Sequence, residues 1–280
     1  MNLSLKLRKR LKEGKILVAP GVFDPLSALL VKLFGFSAAY VGGASTSYSF
    51  LGMPDLGFVG AETMSSQISR IRNVIDLPLI CDADTGYGNE VNVTYSVKLF
   101  EKMGANAIQI EDQLYPKRCG HLRGKEVISP EDMEVKVRAA IRARKDAIIV
   151  ARTDALSVNG LEDAVERANR YVDAGADIAF VESPETIQHL EYIGKNVRGL
   201  KMANMVEGGK TPLINSSTLE EMGFNLVIYP GGAIRSSAKA ISSMLSVLKR
   251  EGTTKSFLDS MVSFTELQKI LGTDEILKLK

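Results

Sequence analysis

The sequence predicts an α/β protein folded as a (β/α)8 TIM barrel with a C-terminal helical extension, and three observations carry that prediction. First, a helix end, a glycine and an apolar run recur four times: Phe34-Gly35, Met103-Gly104, Ala174-Gly175 and Met222-Gly223, leading into residues 36–41, 105–110, 176–181 and 224–229. Glycine can close a helix in the left-handed conformation, and an apolar run without polar alternation reads as a strand buried on both faces. Second, short apolar runs at 16–19, 79–81, 147–151 and 201–203 bring the strand count to eight. Third, polar residues follow nearly every run, as they should if all strands end at one mouth. An open doubly wound sheet would scatter those residues along an edge and ranks second.

The chain opens on a short basic run, Lys6, Arg8, Lys9, Arg10 and Lys12, which leads into no signal-peptide apolar core. Strand 16–19 is followed by Pro20-Gly21, a turn signal at the first strand end. Helical patterns then separate the strands at 25–34, 61–75, 91–103, 130–143, 161–174, 186–193 and 217–222. Ser129-Pro130-Glu131-Asp132 is the clearest start, with a serine cap, a first-turn proline and acids at the positive helix end. The tail over 256–271 spaces Phe257, Leu258, Met261, Phe264, Leu267 and Leu271 as one apolar helical face that needs a partner. We therefore expect residues 1–280 to form one barrel domain, with 253–280 a helical segment packed on, or swapped with, a neighbouring subunit.

Composition narrows the function. Thirty-five basic residues balance 33 acidic ones, leaving no excess that would mark a nucleic-acid binder. No apolar run reaches membrane-spanning length, and two cysteines, Cys81 and Cys119, suit a reducing compartment, so a cytoplasmic protein is expected. No glycine-rich nucleotide motif is present. His189 reads as an ordinary surface residue.

Two stretches carry chemistry. Glu111 to His121 packs acids, a thiol, Lys117, Arg118 and His121 into a loop after a buried strand, and such cations would favour the thiolate of Cys119 and attract an anion. The second is Asp82-Ala83-Asp84-Thr85-Gly86-Tyr87-Gly88, with carboxylates two apart at a strand end and Glu111 on the next strand. Oxygen ligands without histidine suit Mg2+ or Mn2+ rather than zinc. Alone, the same motif could equally cap and permit a turn.

These residues resemble the isocitrate lyase and phosphoenolpyruvate mutase superfamily over nearly the whole chain, most of all its methylisocitrate-cleaving branch. The resemblance rests on Leu51-Gly52-Met53-Pro54-Asp55, the Asp82 to Gly88 stretch, Glu111-Asp112-Gln113, Lys117-Arg118-Cys119-Gly120-His121, Ala151-Arg152-Thr153-Asp154-Ala155 and Thr211-Pro212-Leu213. It implies a Mg2+-dependent carbon–carbon lyase that acts on a small anionic 2-hydroxy or 2-oxo acid, in a homotetramer without nucleic-acid or membrane partners. Cys119, Tyr40 and Glu111 match its catalytic positions, Tyr40 as candidate base for the substrate hydroxyl. Asp82, Asp84 and Glu111 match its metal positions. Gly42, Gly43, Ala44, Asp55, Lys117, Gly120, His121, Arg152, Glu182, Asn204 and Arg235 match its substrate pocket. Arg152 and Arg235 are each expected to grip a carboxylate at two points. The implied substrate is 2-methylisocitrate, cleaved to pyruvate and succinate. Phe264 departs from the pattern, because that branch places a carboxylate-binding arginine near this position. Dimethylmalate, citramalate and oxaloacetate thereby become alternatives, and a phosphonopyruvate-forming mutase, which lacks the cysteine, a weaker one. The loop over 115–128 is long enough to act as a lid.

Overall fold

A computed structural model describes residues 2–122 and 124–279. Eight parallel strands close into a barrel in the order of the sequence: β1 Leu17–Val22, β2 Ala39–Val41, β3 Leu79–Asp82, β4 Ala107–Glu111, β5 Ile148–Thr153, β6 Ile178–Val181, β7 Leu200–Asn204 and β8 Leu226–Tyr229. The eight strands and the closed ring agree with the sequence reading. The four joint glycines all take positive φ, from 77° at Gly35 to 107° at Gly104 and Gly175, as helix closure demands.

Around the barrel run α1 Leu3–Leu11, α2 Pro25–Leu33, α3 Gly43–Thr46, α4 Ala61–Arg72, α5 Glu90–Met103, α6 Pro130–Ala143, α7 Leu156–Asn159, α8 Leu161–Asp173, α9 Ile187–Asn196, α10 Ser216–Glu221 and α11 Gly232–Glu251. Helices α12 Phe264–Ile270 and α13 Thr273–Leu277 end the chain. One core cluster, with Leu17, Ile80, Ile148, Phe180 and Ile228, draws from strands around the ring and includes Leu7 and Leu11 of α1. The opening basic run is therefore one face of a helix whose other face packs against the barrel, held by Arg8 on Asp177 at 2.6 Å. Another cluster seals the strands against α4, α5 and α6.

Two expectations need correction, and one helix lacks a sequence signal. The first strand does not turn at Pro20-Gly21 but runs on to Val22. A Cβ on Gly21 would lie 2.4 Å from the Pro230 carbonyl oxygen, so this glycine serves a close approach to the segment after β8. The tail is not one helix: a 3-10 turn Lys255–Ser260 ends before Ser263, which caps α12 by accepting from the Glu266 amide at 3.1 Å. Phe264 is 79% exposed. The helix without a signal is α11. None of its twenty residues is buried in the single chain, so it lacks the inward periodicity that marks a core helix.

Candidate active site

The strand ends do converge. Tyr40 from β2, Asp82 from β3, Arg152 from β5, Glu182 after β6 and Asn204 from β7 open on one pocket of about 120 Å³ at the C-terminal mouth. Gly42, Gly43 and Ala44 enter it at the start of α3, and Asp55, Lys117, Cys119, Gly120 and His121 enter from loops. Arg235, on the first turn of α11, completes the wall. This volume is well below the 300 Å³ or so of a drug-sized site, so it suits a small molecule. Of the residues predicted from sequence, only Asp84 and Glu111 do not line the pocket; both lie buried behind its wall. Tyr48, Val206 and Ile234 also line it and had no signal in the sequence beyond their neighbours.

Asp82 is fixed by three donors: the Gly43 amide at 3.1 Å, the Asp84 amide at 3.1 Å and Gln109 Nε2 at 3.1 Å. Tyr40 Oη donates to Gln109 Oε1 at 3.3 Å, so the phenol orients the amide that orients the carboxylate. Burial, then the charge of Asp82, push the Tyr40 phenol well above its ordinary value. With no cation beside Asp82, it stands as a donor to Gln109.

Among the described residues, no group of three or more His, Cys, Asp or Glu side chains is gathered tightly enough to hold a metal. Lys117 Nζ intervenes, 2.8 Å from Asp84 Oδ1 and beside Asp55 at 2.5 Å, while Arg152 Nε lies 3.3 Å from Glu111 Oε2. The donor atoms nevertheless fit a hard divalent cation. Glu111 Oε1 is buried without a hydrogen-bond partner, and Asp84 Oδ1 is met by the Lys117 ammonium. The point where a Cβ on Gly43 would stand is 3.1 Å from Asp84 Oδ1 and 3.2 Å from Asp82 Oδ2, leaving a cradle between the two carboxylates. Burial, followed by the charges of Asp82 and Asp55, raises the Asp84 carboxyl to about 7, although Lys117 opposes this. A divalent cation would relieve that repulsion.

Arg152 is the hub of the opposite wall. Its Nε and Nη2 pair with the two oxygens of Asp154 at 2.8 and 3.0 Å, and Nη1 reaches Glu182 at 3.1 Å. The edge expected to grip a substrate carboxylate at two points is thus already used by Asp154. Arg235, by contrast, is exposed, donates to the Glu207 carbonyl oxygen, and has no ion pair among the described residues. Below the wall, Asp112 accepts from Thr153 Oγ1, the Asp154 amide and Tyr171 Oη, at 2.7, 2.9 and 2.8 Å, which fixes the turn after β5.

Cys119 is half-buried, its amide donating to the Asp55 carbonyl at 3.2 Å. Burial pushes its thiol up, with Asp55 and Glu182 adding to the rise against an amide at His121 and the charge of Arg152. The expected thiolate is overturned: the charge of Lys117 is spent on Asp55 and Asp84, leaving a proton-bearing thiol. His121 accepts the Lys210 amide on Nδ1 at 3.0 Å, so its proton sits on Nε2, 3.4 Å from Glu182 Oε1. Burial lowers its pKa, keeping the ring neutral. Gly120 has no room for a side chain, since a Cβ would lie 2.4 Å from Arg152 Nη2 and 2.7 Å from Glu182 Cγ.

Comparison with known proteins agrees with this geometry. The model of the phosphoenolpyruvate phosphomutase family matches residues 7–248. The chain is 46% identical over 268 residues to 2-methylisocitrate lyase of Aeropyrum pernix, covering 96% of this chain and 87% of that one. It is 42% identical over 278 residues to 2,3-dimethylmalate lyase of Eubacterium barkeri, covering 99% and 96%. A crystal structure of phosphonopyruvate hydrolase in complex with oxalate and Mg2+ superposes with a TM-score of 0.90 at 27% identity, covering 100% of this chain and 98% of that one.

Proposed function

Because the chain belongs to the phosphoenolpyruvate phosphomutase family, we propose that it is a Mg2+-dependent carbon–carbon lyase that cleaves a 2-hydroxy di- or tricarboxylate, with 2-methylisocitrate the expected substrate and pyruvate and succinate the products. The observation that carries this reading is the thiol of Cys119 facing the carboxylate of Asp82 across one pocket that also holds Arg152. Such a cleavage needs a positioned acid on one side and a polarised hydroxyl on the other.

Asp82 and Asp84 would hold the cation directly, with Glu111 ordering its shell, and Mn2+ has the same ligand preference. When bound, the cation would polarise the substrate hydroxyl and neutralise its neighbouring carboxylate. Tyr40 Oη is the pocket atom assigned to take the hydroxyl proton, acting as the phenolate that a cation bound beside Asp82 would favour. The carbon–carbon bond then breaks, its electron pair stays on the departing carbon, and Cys119 delivers the proton that completes the second carboxylic acid. His121 Nε2–H and Arg152 supply donors for the negative charge that develops on that fragment's carboxylate. Gly42, Gly43, Ala44 and Asn204 shape the pocket wall, and Arg235 meets a distal carboxylate.

A specific observation favours a second reading. Phe264 brings no cation and lies far exposed, and the dimethylmalate-cleaving relative covers this chain almost end to end. Dimethylmalate or a similar dicarboxylate is therefore the rival substrate. We also assign the outward apolar residues of α11 and the tail, such as Ile241, Leu245 and Leu258, to contacts with further copies of the chain, which size-exclusion measurement tests. Purified protein with Mg2+, presented with 2-methylisocitrate, isocitrate, dimethylmalate, citramalate, oxaloacetate and phosphonopyruvate, tests the function. Release of pyruvate or another 2-oxo acid from one of the hydroxy acids supports the class; inertness toward all six, or turnover of phosphonopyruvate alone, overturns it.

A further inference from the structure

We propose that Lys125 is a positioning residue that fixes Cys119 over the pocket, by fastening the loop that bears the thiol to the buried pair Arg152 and Asp154. This rests on the lyase reading only in making that thiol the proton donor. Loop lysines ordinarily keep their ammonium in water. Lys125 does not: its side chain is 1% exposed. Its Nζ donates to the Gly120 carbonyl at 2.6 Å and to Asp154 Oδ1 at 2.7 Å. Asp154 in turn takes both Nε and Nη2 of Arg152. One ammonium thus ties the residue beside Cys119 to the strand that carries the pocket's central arginine.

The other contacts of the loop single out this tie. Gly120 presses so closely on Arg152 and Glu182 that even a methyl group would collide, so its carbonyl has one seat. Ser183 Oγ, which also lies 3.0 Å from Glu182 Oε1, reaches the same oxygen at 3.0 Å, so among the described residues Lys125 and Ser183 are the side chains that donate to it. On the far side of the thiol, the Cys119 amide reaches the Asp55 carbonyl. Burying an ammonium costs free energy that an apolar residue of the same length would avoid, so placing one here is explained by the position it enforces. Without Lys125, Asp154 still has Arg152 and the amide network of Asp112, so the barrel keeps its own polar partners while the loop loses its clamp.

The experiment reads the thiol rather than turnover. The full chain is treated with iodoacetamide at fixed pH, and mass spectrometry follows Cys119 against Cys81, which is wholly buried and reports global loosening. In Lys125→Met we expect Cys119 to react about tenfold faster while Cys81 stays protected, as local release predicts. In turnover, kcat should fall about a hundredfold with KM changed far less, the mark of a misplaced reacting group. Lys125→Arg, which can serve both acceptors, should recover part of each effect. Should Lys125→Met not fold, Ser183→Ala, which removes the second donor along with the hydroxyl's contacts to Glu182 and His121, should still speed Cys119 about threefold while Cys81 stays protected. Unchanged Cys119 reactivity in the folded variants overturns the proposal, as does a rise matched by Cys81. A wild-type chain that cleaves none of the acids overturns the lyase reading instead, and the alkylation result then judges the clamp alone.

Discussion

Lys117 Nζ stands 2.8 Å from Asp84 Oδ1, so a cation from the thiol-bearing loop already neutralises a carboxylate assigned to the metal. Loop and metal site are therefore electrostatically joined before any ligand arrives.

Metal dependence is the first expected outcome. Excess chelator should abolish turnover, and Mg2+ or Mn2+ should restore it. Asp84→Ala should lose Mg2+ binding in calorimetry by at least about tenfold, with an unchanged circular dichroism spectrum, because mouth residues add little to a barrel's core. Full activity in chelator would sink the assignment.

Cys119→Ser should lower kcat by about a thousandfold with KM nearly kept, since a hydroxyl is a far weaker acid than a thiol. The pH dependence follows from the raised thiol. A pKa above the ordinary thiol value of about 8.5 keeps the proton on sulfur through neutral pH, so alkylation of Cys119 should climb only at alkaline pH. Turnover that depends on that proton should decline over the same alkaline range. Fast alkylation at pH 7 would show a thiolate and contradict the acid role.

Gly120→Ala should cost about a hundredfold in kcat/KM, because its methyl group would displace Arg152 Nη2 or unseat the loop. Thermal unfolding should shift little, since the strain can be relieved by moving the loop rather than the barrel. A fully active alanine variant would mean that the close seat is unnecessary.

Arg235→Ala should reduce kcat/KM by about ten- to a hundredfold for every acid that is cleaved, the worth of one charge-assisted contact. With Arg152 engaged by Asp154 and no arginine at Phe264, dimethylmalate should rival or outpace 2-methylisocitrate under matched conditions. A strong preference for the tricarboxylate would require a further cation beyond those that line the pocket among the described residues.

The barrel was legible because its strands are buried on both faces and each glycine joint is local: residues 103–110 announce both a helix end and a strand. Pro20-Gly21 misled because what constrains Gly21 is the backbone of Pro230, distant in sequence and close in space. At the site, Asp82, Cys119 and Arg152 stand out by type and position. Lys125, Ser183 and Gln109 do not, since each matters through a partner contributed by another segment. The thiolate expectation failed for the same reason, because counting nearby cations ignores the carboxylates that consume them.

The seam between β1 and β8 carries a consequence for synthesis. Leu17 pairs with Leu226 and Pro20 with Tyr229, so the first strand's final neighbour is the last strand to leave the ribosome. Until then the nascent sheet has two open edges, of which β1 is the longer exposed. Premature stop codons anywhere before β8 should consequently yield sticky, chaperone-bound fragments rather than smaller working enzymes, however complete their active-site residues.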